Sequence, residues 1–296
     1  MLKEEFKKNG FVIIKNVIPA EKIESIRLLL KNEFEKEAAT GKKTRRPSGV
    51  RMFQVPEIYM LLLSDPITSA LKKIFGKNYV TIPDLIPQKD MCGGWHLDCA
   101  SEIPNSYLLD PDYTFAKCGI YLQDNSNEWG GGVDIVPKHH TYPVTFLGTK
   151  VAHQVKSVKN RIGIRVKGKM AETKAGDMLV FDSRLPHRST HPHLLPTLPG
   201  VTLDGNTIRN MPFDKSKLSI YWNVCSTEKE ARDFMLNSIR RAKKENDAGR
   251  PFPDEKPFTD CIQFNFPESF QTDFVEKAKQ LGIKIGCLNQ LNLDST

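Results

Sequence analysis

Apolar positions follow one rhythm at the two ends of this chain and another in the middle. Near the start, a short helix over 2–8 should stop at Asn9-Gly10, where glycine suits a C-terminal cap, and Phe11-Val12-Ile13-Ile14 reads as a short β-branched run. An amphipathic helix begins at Pro19 and runs to about 38, with Ile23, Ile26, Leu28, Leu29 and Leu30 apolar. After a Gly/Pro-punctuated basic loop over 39–51, a third helix is expected near 55–75, its apolar side carrying Ile58, Leu61, Leu62, Ile67 and Leu71. Then the texture changes. Short β-rich segments separated by turns recur at 79–86, 94–99, 116–123, 132–137, 151–157, 162–167, 178–182 and 217–224, with hardly any helix among them. Beyond 227 the helical period returns, over about 227–246 and again over 271–281, around a Pro-rich loop at 247–258. Thr227 and Glu230 have capping-box spacing. The pattern predicts one domain over 1–296: a helical N-terminal segment 1–78, a β core 79–226 and a C-terminal helical segment 227–296. The core should be an antiparallel barrel or double-sheet sandwich, mainly β with flanking helices.

Composition narrows the class without naming it. Of 296 residues, 39% are hydrophobic and 26% charged, as in an ordinary soluble domain. The net charge of +8 is spread along the chain, which mildly favours an anionic ligand but lacks the concentrated basic face of a nucleic-acid binder. No apolar run approaches the ~20 residues needed to span a bilayer, and the N-terminus lacks the apolar h-region of a secretory signal. The cysteines at 92, 99, 118, 225, 261 and 287 stand singly, without CxxC spacing, so reduced thiols in a cytoplasmic protein are expected.

Candidate chemistry concentrates in two places. In Gly93-Gly94-Trp95-His96-Leu97-Asp98, an imidazole and a carboxylate two residues apart would share one face of a strand. A remote histidine added to such a pair makes the ligand set of a 2-His-1-carboxylate facial triad, which holds Fe(II) by one face and leaves the other positions open. Three histidines compete for that third place, His187, His191 and His193, and Pro192 makes the segment around the last two irregular. A basic loop (Lys42, Lys43, Arg45, Arg46, Arg51) could meet an anionic substrate. Arg184 and Arg188 flank His187, where either could contact substrate or pair with Asp182; Trp95, Trp129 and Trp222 are candidate aromatic walls.

Four ordered blocks make the chain resemble the phytanoyl-CoA dioxygenase-like family of Fe(II)/2-oxoglutarate oxygenases. They are F-K-K-N-G-F-V-I-I-K-N-V-I-P-A-E-K-I, G-G-W-H-L-D, the middle block G-I-Y-L-Q-D-N-S-N-E-W-G-G-G-V-D-I-V-P-K-H-H, and K-A-G-D-M-L-V-F-D-S-R-L-P-H-R-S. The resemblance implies a double-stranded β-helix (jelly-roll, cupin-like) core with His96, Asp98 and His187 as metal ligands. It implies Fe(II), 2-oxoglutarate and O2 as cofactor and co-substrates, a small-molecule substrate, and release of succinate and CO2 on oxidation of a C–H bond. Because Asp98 is present, where related halogenases carry glycine or alanine, hydroxylation is expected, with desaturation or ring closure open to the same chemistry. Ser189 matches a serine near the distal carboxylate of 2-oxoglutarate, and Gln88 sits where the family places a polar contact. The family's arginine for that carboxylate is missing. Counting back from Asn223 in D-K-S-K-L-S-I-Y-W-N puts Lys215 in its place, with Lys217 and Arg209 as competitors across an insertion within 193–212. A cupin-type enzyme not using 2-oxoglutarate and a non-catalytic jelly-roll binding protein are the alternatives.

Overall fold

The computed structural model describes residues 1–40, 47, 49–98, 110–140, 168–193, 198–204, 207–247 and 272–286. The strands expected at 151–157 and 162–167, most of the Pro-rich loop, Lys42, Lys43, Arg45, Arg46 and the cysteines at 99, 261 and 287 lie outside these residues.

Helix α1 (Leu2–Asn9) ends at Gly10, whose left-handed backbone (φ 79) turns the chain into strand β1 (Phe11–Ile14). Helix α2 (Ala20–Ala39) follows. The end of the expected basic loop forms a short helix, α3 (Gly49–Met52), and the single helix expected near 55–75 is instead broken into α4 (Pro56–Tyr59), a 3-10 turn (Met60–Leu63) and α5 (Asp65–Phe75). The apolar period continues across the break, but Pro66 has no N–H to donate and its ring would clash with the preceding turn. Ser64 therefore adopts an extended conformation.

The core is built from two sheets. The larger contains β2 (Val80–Lys89), β3 (Ala116–Tyr121), β6 (Met178–Asp182) and β10 (Leu218–Cys225), in the order β1-β6-β3-β10-β2, closed at one edge by β11 (Lys284–Ile285) running parallel to β2. The smaller has the order β5-β4-β7, from β5 (Lys169–Met170), β4 (Val133–Ile135) and β7 (His187–Ser189). Between β7 and β10, part of the insertion folds into a hairpin of β8 (Thr202–Asp204) and β9 (Thr207–Arg209). Among the described residues of the strand expected at 94–99, only His96 pairs, as an isolated bridge to His187.

Strand alternation explains how the sheets stack. On the larger sheet Cys118, Ile120, Met178, Val180, Leu218, Ile220, Trp222 and Val224 face the helices and join Leu30, Ile58, Leu71 and Phe75 in one core. The intervening Tyr121, Leu179, Phe181 and Tyr221 pack against Val133 and Ile135 of the smaller sheet. Strands buried on both faces read as unbroken apolar runs, which is why Met178-Leu179-Val180-Phe181 lacks alternation. C-terminal helices α6 (Glu228–Asp247) and α7 (Thr272–Gln280) complete the described fold. Thr227 and Glu230 form the expected reciprocal cap: Glu230 N donates to Thr227 Oγ1 at 3.2 Å, and Thr227 N to Glu230 Oε2 at 3.1 Å. The result is a double-stranded β-helix, a jelly roll with helices on one side.

Candidate metal centre

The backbone pairing of His96 with His187 of the smaller sheet creates the site. His96 N donates to His187 O at 2.9 Å and His187 N to His96 O at 3.0 Å, so the two residues stand directly opposite and their rings lie 4.2 Å apart. Asp98, two residues on, joins them. The three donor groups lie within 4.8 Å of one another. Each histidine ring is held from behind: His96 Nδ1 contacts Gly94 O at 2.8 Å and His187 Nδ1 contacts Leu185 O at 2.9 Å. A carbonyl only accepts, so each Nδ1 carries the proton and each Nε2 presents a lone pair forward. Those Nε2 atoms lie 3.7 Å and 3.6 Å from Asp98 Oδ1 and Oδ2 respectively.

Charge at the site suits a cation. Burial pushes the His187 imidazole down to about 4, against the attraction of Asp98, so it is a neutral donor at physiological pH. Burial alone would raise the Asp98 carboxyl, but the Lys117 ammonium, with His187 and His96, outweighs it and holds the group well below the usual carboxylate range. Lys117 Nζ lies 2.8 Å from Asp98 Oδ2 yet off the line a hydrogen bond needs, so this buried oxygen has an ion-pair partner but no aligned donor. Two imidazole nitrogens and an ionised carboxylate, one of whose oxygens lacks an aligned donor, are a fitting set for a divalent transition metal.

Away from the metal cluster the inner face of β10 runs past Tyr221 and Ser219 to Lys217. Ser219 lies opposite Gln88 on one side and Tyr121 on the other, which puts half-buried Gln88 on this inner face. The Tyr221 hydroxyl donates to the Tyr121 hydroxyl at 3.1 Å. Lys217 is 8% exposed, and its stem crosses to Gly131, where a Cβ would stand 2.5 Å from Lys217 Cδ. Gly131 leads into β4 beside Val133, which is opposite Ser189. Ser189 Oγ accepts Gly93 N at 3.0 Å. Burial pushes the Lys217 ammonium down to about 8, opposed by Asp90, and among the described residues no carboxylate comes within ion-pair distance of it. Lys215 lies instead in a 3-10 turn (Phe213–Lys215), half-exposed, 3.6 Å from Asp214 and over the Trp129 ring. Counting back from Asn223 cannot see that turn. Arg209 is taken up by Asp204 at 2.7 Å.

The candidate substrate contacts fall elsewhere. Arg188 pairs with Asp134 at 2.8 Å on the outer face of the smaller sheet and lies over the Trp95 ring, so both side chains point away from the histidines. Arg51 is bound to Glu33 at 2.5 Å and reaches Glu37. Arg184 grips Asp182 through Nε and a terminal nitrogen. His191 Nδ1 contacts Cys92 Sγ at 3.2 Å, outside the cluster. Trp222 belongs to the helix-side core. Two features of the site carry no motif in the sequence: Lys117, and the Asp84–Asn223 pair, in which Asn223 N and Nδ2 donate to Asp84 at 3.0 Å and 2.5 Å. One signal for Lys117 was available: in Ala116-Lys117-Cys118-Gly119-Ile120-Tyr121 it is the sole charge in an otherwise apolar strand.

Two facing sheets that bring an H-x-D pair onto a distant histidine define a class, the double-stranded β-helix with a facial-triad constellation. The profile of the phytanoyl-CoA dioxygenase (PhyH) family matches residues 6–192, and the chain belongs to that family. Among solved structures, the non-heme monooxygenase ThoJ in its apo form has a TM-score of 0.53 at 13% identity, over 84% of this chain and 99% of that one. EctD from S. alaskensis in its apoform has 0.51 at 14%, over 76% and 75%. HygX from Streptomyces hygroscopicus, with nickel and 2-oxoglutarate bound, has 0.50 at 15%, over 76% and 86%. At such identities the likeness is one of fold. No curated protein sequence matches the chain.

Proposed function

We propose that the protein is a non-haem Fe(II)/2-oxoglutarate-dependent oxygenase that hydroxylates a C–H bond of a small molecule. The observation that carries this is the His96–Asp98–His187 cluster, with both Nδ1 protons tied to carbonyls and both Nε2 atoms turned to one carboxylate. Bound there, iron with 2-oxoglutarate and O2 would supply the oxidant for the C–H bond, with succinate and CO2 as by-products. His96, Asp98 and His187 would be the metal ligands. Lys217, helped by Ser189, would neutralise the distal carboxylate of 2-oxoglutarate in place of Lys215, since a buried cation without a carboxylate is stable only when an anion joins it. Gln88 and the Tyr121–Tyr221 pair would line the path between. The presence of Asp98 supports hydroxylation over halogenation, because the carboxylate occupies the position a halide would need. No acid–base group is required beyond these. The cupin alternative loses support because His191 and His193 stand outside the cluster.

The test is succinate formation from 2-oxoglutarate by the purified protein with Fe(II) and O2, across a metabolite panel. Production that needs both and is lost in His96→Ala is expected. Iron-loaded protein that neither binds 2-oxoglutarate nor releases succinate would overturn the proposal.

A further inference from the structure

Lys117 is the feature of the site that the proposed chemistry does not use. On β3 it is opposite Asn223 of β10 and Phe181 of β6, which directs it to the inner face, and the Phe181 ring lies 4.7 Å from that of His187. The residues around it form an alternating row. Asn223 holds Asp84, fully enclosed, whose carboxyl burial pushes up to about 7 against the pull of Lys117. Lys117 follows, and its ammonium lies 2.8 Å from Asp98 Oδ2. A lysine here is expensive to desolvate, and a methionine would pack against the same walls at less cost.

What the ammonium does for Asp98 follows from symmetry. The carboxylate presents its two oxygens almost evenly, Oδ1 at 3.7 Å from His96 Nε2 and Oδ2 at 3.6 Å from His187 Nε2. Such a carboxylate can bind a cation through both oxygens, occupying one coordination position more than a triad should. A cation against one oxygen breaks that equivalence. Resting on the metal-centre reading above, we infer that Lys117 is a positioning residue that engages Asp98 Oδ2 and so confines the carboxylate to a single metal bond, keeping open the position that 2-oxoglutarate needs. Asp84, held by Asn223, is a second negative group that interacts electrostatically with Lys117.

Co(II) serves as the probe, because its visible absorption reports coordination number without turnover. Wild type, His96→Ala, Lys117→Met and Lys117→Arg are titrated with Co(II), and then with 2-oxoglutarate. Lys117→Met should bind Co(II) at least as tightly as wild type, since a positive charge has left a cation site. Its Co(II) spectrum before 2-oxoglutarate should differ, and its 2-oxoglutarate affinity should fall about tenfold or more. Lys117→Arg should restore both. A spectrum unchanged in Lys117→Met overturns the inference, as does a folded Lys117→Met that no longer binds Co(II). If Lys117→Met fails to fold, Lys117→Gln is judged by the same two readouts. Wild type that ignores Co(II), or His96→Ala that binds it unchanged, would instead sink the metal-centre reading, and the inference with it.

Discussion

Lys217 concentrates the conflict between stability and function at the scale of one residue. It is 8% exposed, burial pushes its ammonium down to about 8, and the nearest compensation is Asp90, whose carboxylate instead accepts the backbone N–H of Lys217 at 2.6 Å. Replacing an uncompensated buried charge by an apolar group of similar length should stabilise the free protein by roughly 1 kcal/mol. Lys217→Met is therefore expected to raise the melting temperature while weakening 2-oxoglutarate binding by roughly 2 kcal/mol or more, measured by calorimetry on the metal-loaded protein. Lys215→Ala should leave that affinity nearly unchanged; the reverse pattern would return the role to Lys215. The pH dependence has a definite sign. In the free protein the ammonium loses its proton as pH rises through about 8, so 2-oxoglutarate affinity should decline from pH 7 to 9. Over the same window and up to the ordinary lysine value, the unfolded chain holds the proton that the native state has released, so stability should rise with pH. Both trends should vanish in Lys217→Met. Asp90 accepts Ser216 Oγ and Lys217 N and so defines where β10 begins, a tertiary contact that the count along the chain to Lys215 does not contain. His96 and Asp98, by contrast, stand two residues apart, so their closeness is local and legible in the sequence.

At the scale of elements, helix α6 carries a cap that serves two purposes. Besides closing the box with Thr227, Glu230 accepts Thr114 N at 2.6 Å and Thr114 Oγ1 at 2.9 Å, tying the helix to the approach to β3. Thr227→Ala removes one cap hydroxyl and should cost ~1 kcal/mol. Glu230→Ala removes the cap and the tie and leaves Thr114 N without its acceptor, so it should cost more, about 2 kcal/mol. Urea denaturation of both variants checks the order; equal losses would mean the Thr114 contact contributes nothing. The cap was visible as a spacing of three, whereas the tie spans 116 positions and was not. The same distinction runs through the fold. Helices α1, α2 and α6 and strands β3, β4, β6 and β10 follow from local period and turn chemistry. The helix expected near 55–75 failed where a proline overrode an unbroken apolar stripe. Strand β7 was missed because it is three residues long and its meaning lies in its partner, β4.

The whole molecule presents the candidate centre as a tie between three separate parts of the fold. His187 belongs to the smaller sheet, His96 and Asp98 to the segment leaving β2, and Lys117 to the middle of the larger sheet. Asp98 Oδ2 has the Lys117 ammonium as its ion-pair partner at 2.8 Å. A divalent cation there would be held by residues from two chain segments 89 residues apart, Asp98 and His187. A ligand that binds only the native state stabilises it by about 2.7 kcal/mol at a hundred times its dissociation constant. For a chain of this size, each kcal/mol moves the melting temperature by roughly 2–4 °C. Adding Ni(II) or Mn(II) to protein stripped with a chelator should therefore raise the melting temperature by several degrees, and renewed chelation should reverse the shift. His191→Ala should keep the full shift, because that imidazole faces Cys92, while His96→Ala and His187→Ala should abolish it. A shift that survives in His187→Ala but disappears in His191→Ala would relocate the centre to the irregular segment beyond β7 and dismantle the triad.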